Sequence, residues 1–562
     1  MEPSPFSVSS VVKLFGGAAA HAPSATYDPP NPSAPSLHPN SGMRPPCDEA
    51  VLRSATASEP CQPQSGPWIL AAAILGSSMA FIDSTVVNVA LPALQSAFGA
   101  TVIDVQWVVE SYGLFLGALI LVGGSAGDIF GRRRVFLIGV TIFALASAAC
   151  GLAQNIHELI YARAVQGIGA ALLTPGSLAI ISASFPEQER GRAIGTWSGF
   201  TAITTAFGPV LGGWLIEHVS WRWIFFINLP LAAAVIGVSL WHVPESHGPR
   251  AKQVDLTGAL LATIGLGGLV YGLLESPLLG WSAPTVIASL AIAVICLLAF
   301  PIVESRALYP MVPLALFRSR TFSGANLLTL FLYSALGIFF FVFPMNLIQV
   351  HGYSATAAGA AALPLILLMF LLSRWSGGLV SRYGPKLPLM IGPLIAAAGF
   401  ALFALPSIGG SYWTTFFPAF LVLGFGMAVS VAPLTTVVMN AVDPERAGTA
   451  SGINNAVARV AGLLAVAVFG IVIVEAFAEH LDHQLAAVNA PIAIRQHMQD
   501  NRTKLAAIDI PPESDPQLTT KLHTAVADSF LFAFRIVAIC CAVLSIASAA
   551  TAAAIIDANQ QP

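Results

Sequence analysis

Long apolar runs alternate with short polar links along most of the chain. From Trp68 onward the runs fall near 68–92, 104–127, 134–154, 157–184, 193–216, 222–243, 255–276, 283–303, 322–349, 354–380, 386–406, 411–439, 449–474 and 527–555. Most have about 20–28 residues, enough for a helix to cross ~30 Å of hydrocarbon with some tilt. Lipid offers no water to backbone amides, so each run predicts a helix that satisfies its own hydrogen bonds. The pattern therefore predicts an all-α polytopic membrane protein with 14 transmembrane helices.

Charge in the links sets the orientation. One side receives Arg132, Arg133, Arg134, Arg190, Arg192, Arg250, Lys252, Arg306, Arg318, Arg320, Arg382, Lys386 and Arg446, whereas the short links of the other side carry only Arg222. By the positive-inside rule the first side is cytoplasmic, and both termini face the cytoplasm. The long link at 476–526 carries basic residues as well, but long loops weigh little in that rule.

Composition agrees with a membrane class. Of 562 residues, 56% are apolar and 9% charged, against about 25% charged in a soluble domain. The formal net charge of −3 gives no electrostatic footprint for nucleic acid. The cysteines at 47, 61, 150, 296, 540 and 541 show neither disulfide nor metal spacing, so no metal site and no cofactor is expected. No phosphate-binding GxxxxGK[ST] loop occurs, which argues against ATP as the energy source. No Ser/His/Asp set gathers at one depth, so an enzyme is not expected. Residues 1–66 hold 12 prolines with much Ser and Ala and read as a disordered tail, with Met43 as an alternative start. The stretch VVKLFGGAAAHA within it is too short and too weakly apolar for a signal peptide.

The chain repeats itself. GTWSG at 195–199 recurs as GTASG at 448–452, and Gly131 of GDIFGRRR matches Gly384 of VSRYGPK, both at an offset of 253. GIGAALLTP at 167–175 is echoed by GFGMAVSVAP at 424–433. Three echoes in one order mean an internal duplication that pairs spans 1–6 with spans 9–14 and leaves spans 7 and 8 as an inserted hairpin. Two like halves are the architecture of alternating-access transporters, with substrate bound between them near midplane. The expected organisation is a tail at 1–66, a six-helix bundle at 67–247, the hairpin at 248–307, a second six-helix bundle at 308–556 with a long outer loop at 476–526, and a tail at 557–562.

Four stretches carry a family resemblance: FIDSTVVNVALPAL at 81–94, GSAGDIFGRRR at 124–134, RAVQGIGAALLTP at 163–175 and GPVLGG at 208–213. SGINNAVARVAG at 451–462 adds a fifth. In order and spacing the chain resembles the major facilitator superfamily, in particular its fourteen-span drug:proton antiporters of the EmrB/QacA type. The resemblance implies two pseudo-symmetric six-helix bundles and a proton-coupled exporter of lipophilic compounds in a bacterial cytoplasmic membrane. Protons, a small lipophilic substrate and the bilayer are its implied partners, and some relatives add a periplasmic adaptor. Thr204 stands where the antiporter motif usually has Gly or Ala, and Ser381 replaces the acid of the second-half loop motif.

Asp83 is the first candidate for chemistry. It lies ~13 Å deep in span 1, where lipid disfavours its charge and suits it to taking up and releasing a proton. Arg163, ~10 Å into span 4 from the same side, is its expected partner. Glu110, ~9 Å into span 2, is either solvated at the outer surface or a cavity acid. The resemblance makes it a substrate-binding acid and lipophilic cations the first class to try. Asp128 ends a span where the helix dipole disfavours a bare acid, so it should pair with Arg132 or a neighbouring arginine. With Gly124, Gly131 and Arg133, the resemblance makes it a cytoplasmic gate that holds the outward-facing state. Gly195, Gly208, Pro209, Gly212 and Gly213 thin one face of span 5, either for ordinary packing or, by resemblance, for a seal against span 8 or its equivalent. Arg459 and Arg535 are costly in lipid without an assignable role. Export of one endogenous metabolite or lipid is the nearest alternative, ahead of proton-coupled uptake and of a transport-dead receptor.

Overall fold

The structure is a computed structural model that describes residues 65–248, 253–443, 446–510 and 516–557. Residues 1–64 of the predicted tail at 1–66 and 558–562 of that at 557–562 lie outside the described residues, as do Met43, Cys47, Cys61, Arg250 and Lys252, while Gly66 already opens the first helix. Among the described residues, 14 helices are long and apolar enough to cross a membrane. They are α1 (Gly66–Phe98), α2 (Val102–Phe130), α3 (Arg132–Leu152), α4 (Ile156–Ser184), α5 (Glu189–His218), α6 (Trp223–His242), α7 (Leu256–Leu279), α8 (Pro284–Arg306), α9 (Arg320–Val350), α10 (Ala355–Gly377), α11 (Lys386–Phe403), α12 (Phe417–Asn440), α13 (Gly448–Ala487) and α14 (Pro516–Ile555).

Local sequence starts and stops these helices. Gly99 ends α1 with φ +61°, a conformation that costs other residues energy. Thr101 and Asp104 then open α2 with a reciprocal capping box: Asp104 N donates to Thr101 Oγ1 at 3.2 Å and Thr101 N to Asp104 Oδ2 at 2.8 Å. Asn155, Asp255, Ser319 and Ser354 cap α4, α7, α9 and α10 without the reciprocal bond, each side chain accepting the backbone N–H three residues on.

The duplication read from the sequence is visible in the packing. In the first half α1 lies on α5 and α6, α2 on α4, and α3 on α4 and α6. In the second half α9 lies on α13 and α14, α10 on α12, and α11 on α12 and α14. Small residues permit these approaches. A Cβ at Gly169 would stand 2.6 Å from Phe143 N, so only glycine lets α4 pack this closely on α3. The inserted pair α7–α8 packs mainly on itself, with α7 also against α2 and α13. The link at 476–526 is helical at both ends, because α13 and α14 run on past their apolar cores; between them lie a short helix, Ile492–Asp500, and a 3₁₀ turn, Arg502–Ala507.

The halves meet on the face away from Arg132–Arg134. There Gln349 Nε2 donates to Gln95 Oε1 at 2.9 Å, and Thr356 Oγ1 to Glu217 Oε2 at 2.6 Å. Toward the basic-loop face α5 and α10 part: a Cβ at Gly191, Gly195, Gly199 or Gly377 would meet nothing within 4 Å. A cavity of about 1010 Å³ lies on that face beside the inserted pair, lined by Ser125 and Asp128 of α2, Asp255 and Glu304 at the ends of α7 and α8, the link that follows α8, and Arg446 and Thr449. Along α5 and α10 the molecule is thus closed on the opposite face and open on the basic-loop face, while α2 and α13 stay in contact there, a Cβ at Gly452 standing 3.2 Å from Leu121.

Candidate functional site

Asp83 sits near the middle of α1 and meets Arg163 of α4. Arg163 Nη1 lies 2.5 Å from Asp83 Oδ2, and the two side chains are 1% and 0% exposed. Further polar atoms of the pair are bonded too. Gln166 Nε2 donates to Asp83 Oδ1 at 2.8 Å, and Asn228 Nδ2 lies 3.4 Å from the same oxygen. Arg163 Nε donates to Val108 O at 3.1 Å and Nη1 to Gln166 Oε1 at 2.8 Å, while Tyr112 lies 4.2 Å beneath the guanidinium. Ser147 Oγ accepts from Asn228 Nδ2 at 3.0 Å and closes the network on α3. A buried ion pair needs its other donors and acceptors occupied; here both Asp83 oxygens and Arg163 Nε and Nη1 are bonded, while Asn228 Oδ1 is buried without a partner. The network ties α1, α2, α3, α4 and α6 together at one carboxylate, and loss or gain of a proton there would alter all of them.

Gln166, Asn228 and Ser147 were not among the sequence candidates. Gln166 lies one helical turn beyond Arg163 and so shares its face, a signal available in RAVQG. Asn228 and Ser147 come from other helices, and nothing in the sequence pairs them with Asp83.

Glu110 is only 1% exposed, so it is not solvated at the outer surface. Its Oε2 is buried without a hydrogen bond. Its stripe on α2 faces α13: Gln106 Nε2 lies 3.4 Å from Val466 O, and a Cβ at Gly113 would stand 3.7 Å from Leu463 Cδ1. Glu110 is thus shut in the seam between the halves and does not join the Asp83 network.

The GPVLGG stretch works as a double-sided spacer. A Cβ at Gly208 would stand 2.9 Å from Thr85 Oγ1, and one at Gly212 would strike Val86, both on α1. On the other face a Cβ at Gly213 would strike Ala355 O of α10, and one at Gly359 of α10 would strike Pro209 O. The partner expected as span 8 or its equivalent is α10, because the inserted pair shifts the count by two. Thr204 hydrogen-bonds Ser78 of α1 at 3.1 Å, so the departure from Gly or Ala still serves the α1–α5 contact. Gly195 faces open space.

At the turn between α2 and α3, Arg132 Nε and Nη2 both lie 2.9 Å from Asp128 Oδ1. This pair stays within one half and is intact in the state open on the basic-loop face. Gly131 turns the chain with φ +103°, and Gly124 lies against Pro175 of α4. Glu245, which the sequence did not single out, accepts from Arg133 N at 3.0 Å and Arg134 N at 3.2 Å. It thereby places a carboxylate on the N-terminus of α3. Arg133 Nη1 reaches Val243 O at 3.0 Å. Arg535 donates to Pro406 O at 2.9 Å.

Two duplicated six-helix bundles joined at a central seam, with a charge network buried in one of them, are the build of a secondary membrane transporter. Residues 73–466 match the family model described as Major Facilitator Superfamily. The chain belongs to the major facilitator superfamily. It is 37% identical over 431 residues to the multidrug resistance protein Stp of Mycobacterium tuberculosis, covering 75% of this chain and 79% of that protein. It is 36% identical over 429 residues to the tetracenomycin C resistance and export protein of Streptomyces glaucescens, with coverages of 76% and 79%. In fold it is similar to a bacterial homologue of the human lysosomal transporter Spinster, at a TM-score of 0.60 and 17% identity, over 89% of this chain and 100% of that one.

Proposed function

We propose that the protein is a proton-driven exporter of lipophilic drugs or toxic compounds, of the fourteen-span EmrB/QacA type. It works in a bacterial cytoplasmic membrane with its basic loops and both termini in the cytoplasm. The drug-resistance relatives support the substrate class. The observation that carries the coupling is the position of Asp83, bonded to Arg163 and two residues before Thr85 on α1. Thr85 and Val86 seat α5 through Gly208 and Gly212, and α5 closes on α10 through Pro209 and Gly213. With the outer face open, a proton from outside binds Asp83, cancels its charge and frees Arg163; the protonated protein returns to the state open on the basic-loop face, where Asp83 gives its proton to the cytoplasm and the pair with Arg163 re-forms. Substrate enters from the basic-loop face in that deprotonated state and leaves when the α5–α10 seal opens, and the turn at Asp128 and Arg132 latches the cytoplasmic face of the outward-facing state through a further contact with the second half. Glu110 reaches substrate only when the α2–α13 seam parts, which is the route left to cationic compounds. A periplasmic adaptor is a further partner in the Gram-negative setting.

The test is growth of efflux-deficient bacteria on a panel of acidic, neutral and cationic lipophilic antibiotics, with ethidium efflux as the cationic arm. Wild type, Asp83→Asn and empty vector are compared at matched membrane expression. Export predicts raised tolerance to at least one compound, abolished by an uncoupler and by Asp83→Asn. Tolerance at vector level across the panel rejects the drug-export reading and favours a single endogenous substrate. An Asp83→Asn protein that pumps like wild type rejects the proton-carrier role.

A further inference from the structure

Arg459 is the charge left over once the paired groups are set aside. It lies on α13, 11 residues past Gly448 (459 − 448), or about 17 Å along the helix. Its Cβ faces Gly117 of α2, 3.5 Å from where a Cβ there would stand, and its guanidinium lies 6.0 Å over the Phe81 ring of α1. It is only half-buried, and among the described residues it makes no hydrogen bond or ion pair.

The nearby carboxylates are committed elsewhere. Asp83, two residues from Phe81, is held by Arg163 and Gln166. Glu110 lies seven residues (117 − 110) from Gly117 along α2, about 10 Å, and is closed off in the seam. A mid-membrane cation with no counter-ion is tolerated where it lines a polar pathway, and such a residue marks a substrate or ion route. Here the half-buried guanidinium stands at the junction of α1, α2 and α13. Asn455, one turn nearer the basic-loop face on the same side of α13, is exposed.

A guanidinium offers a planar fork of donors that matches carboxylate, sulfonate, phosphate and phenolate oxygens. Phe81 adds an aromatic surface beneath it for an apolar body. Building on the exporter reading, we infer that Arg459 is a substrate-binding residue and that this transporter takes amphiphiles bearing an anionic or strongly accepting group, which docks on the guanidinium. This sets the preferred class apart from lipophilic cations.

The test is direct binding to the full-length protein in phosphatidylcholine nanodiscs, read by fluorescence polarisation. Two dyes share one xanthene frame: fluorescein, dianionic in mildly alkaline buffer, and tetramethylrhodamine methyl ester, a cation. Wild type should bind fluorescein more tightly than the rhodamine. Arg459→Gln should weaken fluorescein about tenfold or more, the size expected for a lost charge-assisted hydrogen bond, without weakening the rhodamine. Arg459→Lys should recover part of the loss. Absent fluorescein binding, binding unchanged in Arg459→Gln, or equal loss of both dyes overturns the inference. A lipid headgroup has the same chemistry, so the measurement is repeated with phosphatidylglycerol in the disc. Competition that vanishes in Arg459→Gln assigns the guanidinium to an anionic lipid, and lack of competition assigns it to a free solute. The two readings fail separately. Uncoupler-sensitive efflux of the cation alone, indifferent to Arg459, sinks this inference and keeps the exporter; Arg459-dependent binding without proton-driven efflux does the reverse.

Discussion

Arg163 Nη1 and Asp83 Oδ2 meet at 2.5 Å in a place where neither side chain is more than 1% exposed. Breaking such a pair from one side leaves an uncompensated buried charge, at a cost of about 3–5 kcal/mol. Arg163→Gln should therefore lower the thermal unfolding midpoint in detergent and abolish export. The double variant Asp83→Asn/Arg163→Gln removes both charges and should regain part of the lost stability, although it stays inactive. A double variant no more stable than the sum of the two single losses would show that the groups are not energetically coupled.

The seal between α5 and α10 depends on the absence of two side chains. Gly213→Val and Gly359→Val each drive carbons into backbone of the facing helix, and overpacking of this kind costs about 1–3 kcal/mol. Both variants should insert normally but hold the opposite face ajar. A cysteine introduced at Gln349 should then react faster with an impermeant thiol reagent applied outside, while drug tolerance falls. Gly191→Ala meets open space and serves as the control with unchanged tolerance. Unchanged labelling in both valine variants would mean that the seal lies elsewhere.

Much of this arrangement is legible in the chain because lipid makes its rules strict. Fourteen helices, their order and the duplicated halves follow from apolar run length and from the 253-residue echoes. Asp83 and Arg163 stand out because an ionised group in an apolar run needs a partner, and similar depth suggests the pairing. Asn228, Ser147 and Glu245 do not stand out. They are ordinary polar residues whose roles come from which helix packs on which, and periodicity along one helix carries no such information. Glu110 shows the same limit, since depth alone does not say whether a carboxyl group faces water or the neighbouring bundle. Arg459 was visible as an expense, but its lack of a partner needed the packed structure.

The turn between α2 and α3 should depend on Glu245 as much as on the arginines. Gly131 has φ +103°, and a Cβ there would stand 2.7 Å from the Glu245 carboxylate. Gly131→Ala combines backbone strain with this collision and should cost about 1–3 kcal/mol. Glu245→Ala removes the carboxylate from the N-terminus of α3 and should cost less, about 0.3–1 kcal/mol, because the site is partly open to solvent. Thermal unfolding in detergent ranks the two. If Glu245→Ala proves as damaging as Gly131→Ala, the carboxylate is doing more than capping a helix.

His351, in the turn after α9, gives a pH dependence with a definite sign. Burial lowers its proton affinity from the usual value of 6.5, and its ring packs edge-on against Phe416 with centroids 5.1 Å apart. The folded protein thus holds this histidine neutral, while the unfolded chain takes a proton more readily. Stability from this group is therefore fully present above about pH 6.5 and is lost as pH falls through and below that value. The unfolding midpoint in detergent should drop on mild acidification, and His351→Gln should flatten that part of the profile. The turn sits on the face away from the basic loops, which the proposed orientation puts outside. If the profile of His351→Gln still parallels wild type on acidification, the acid sensitivity belongs to another group and this turn is not its source.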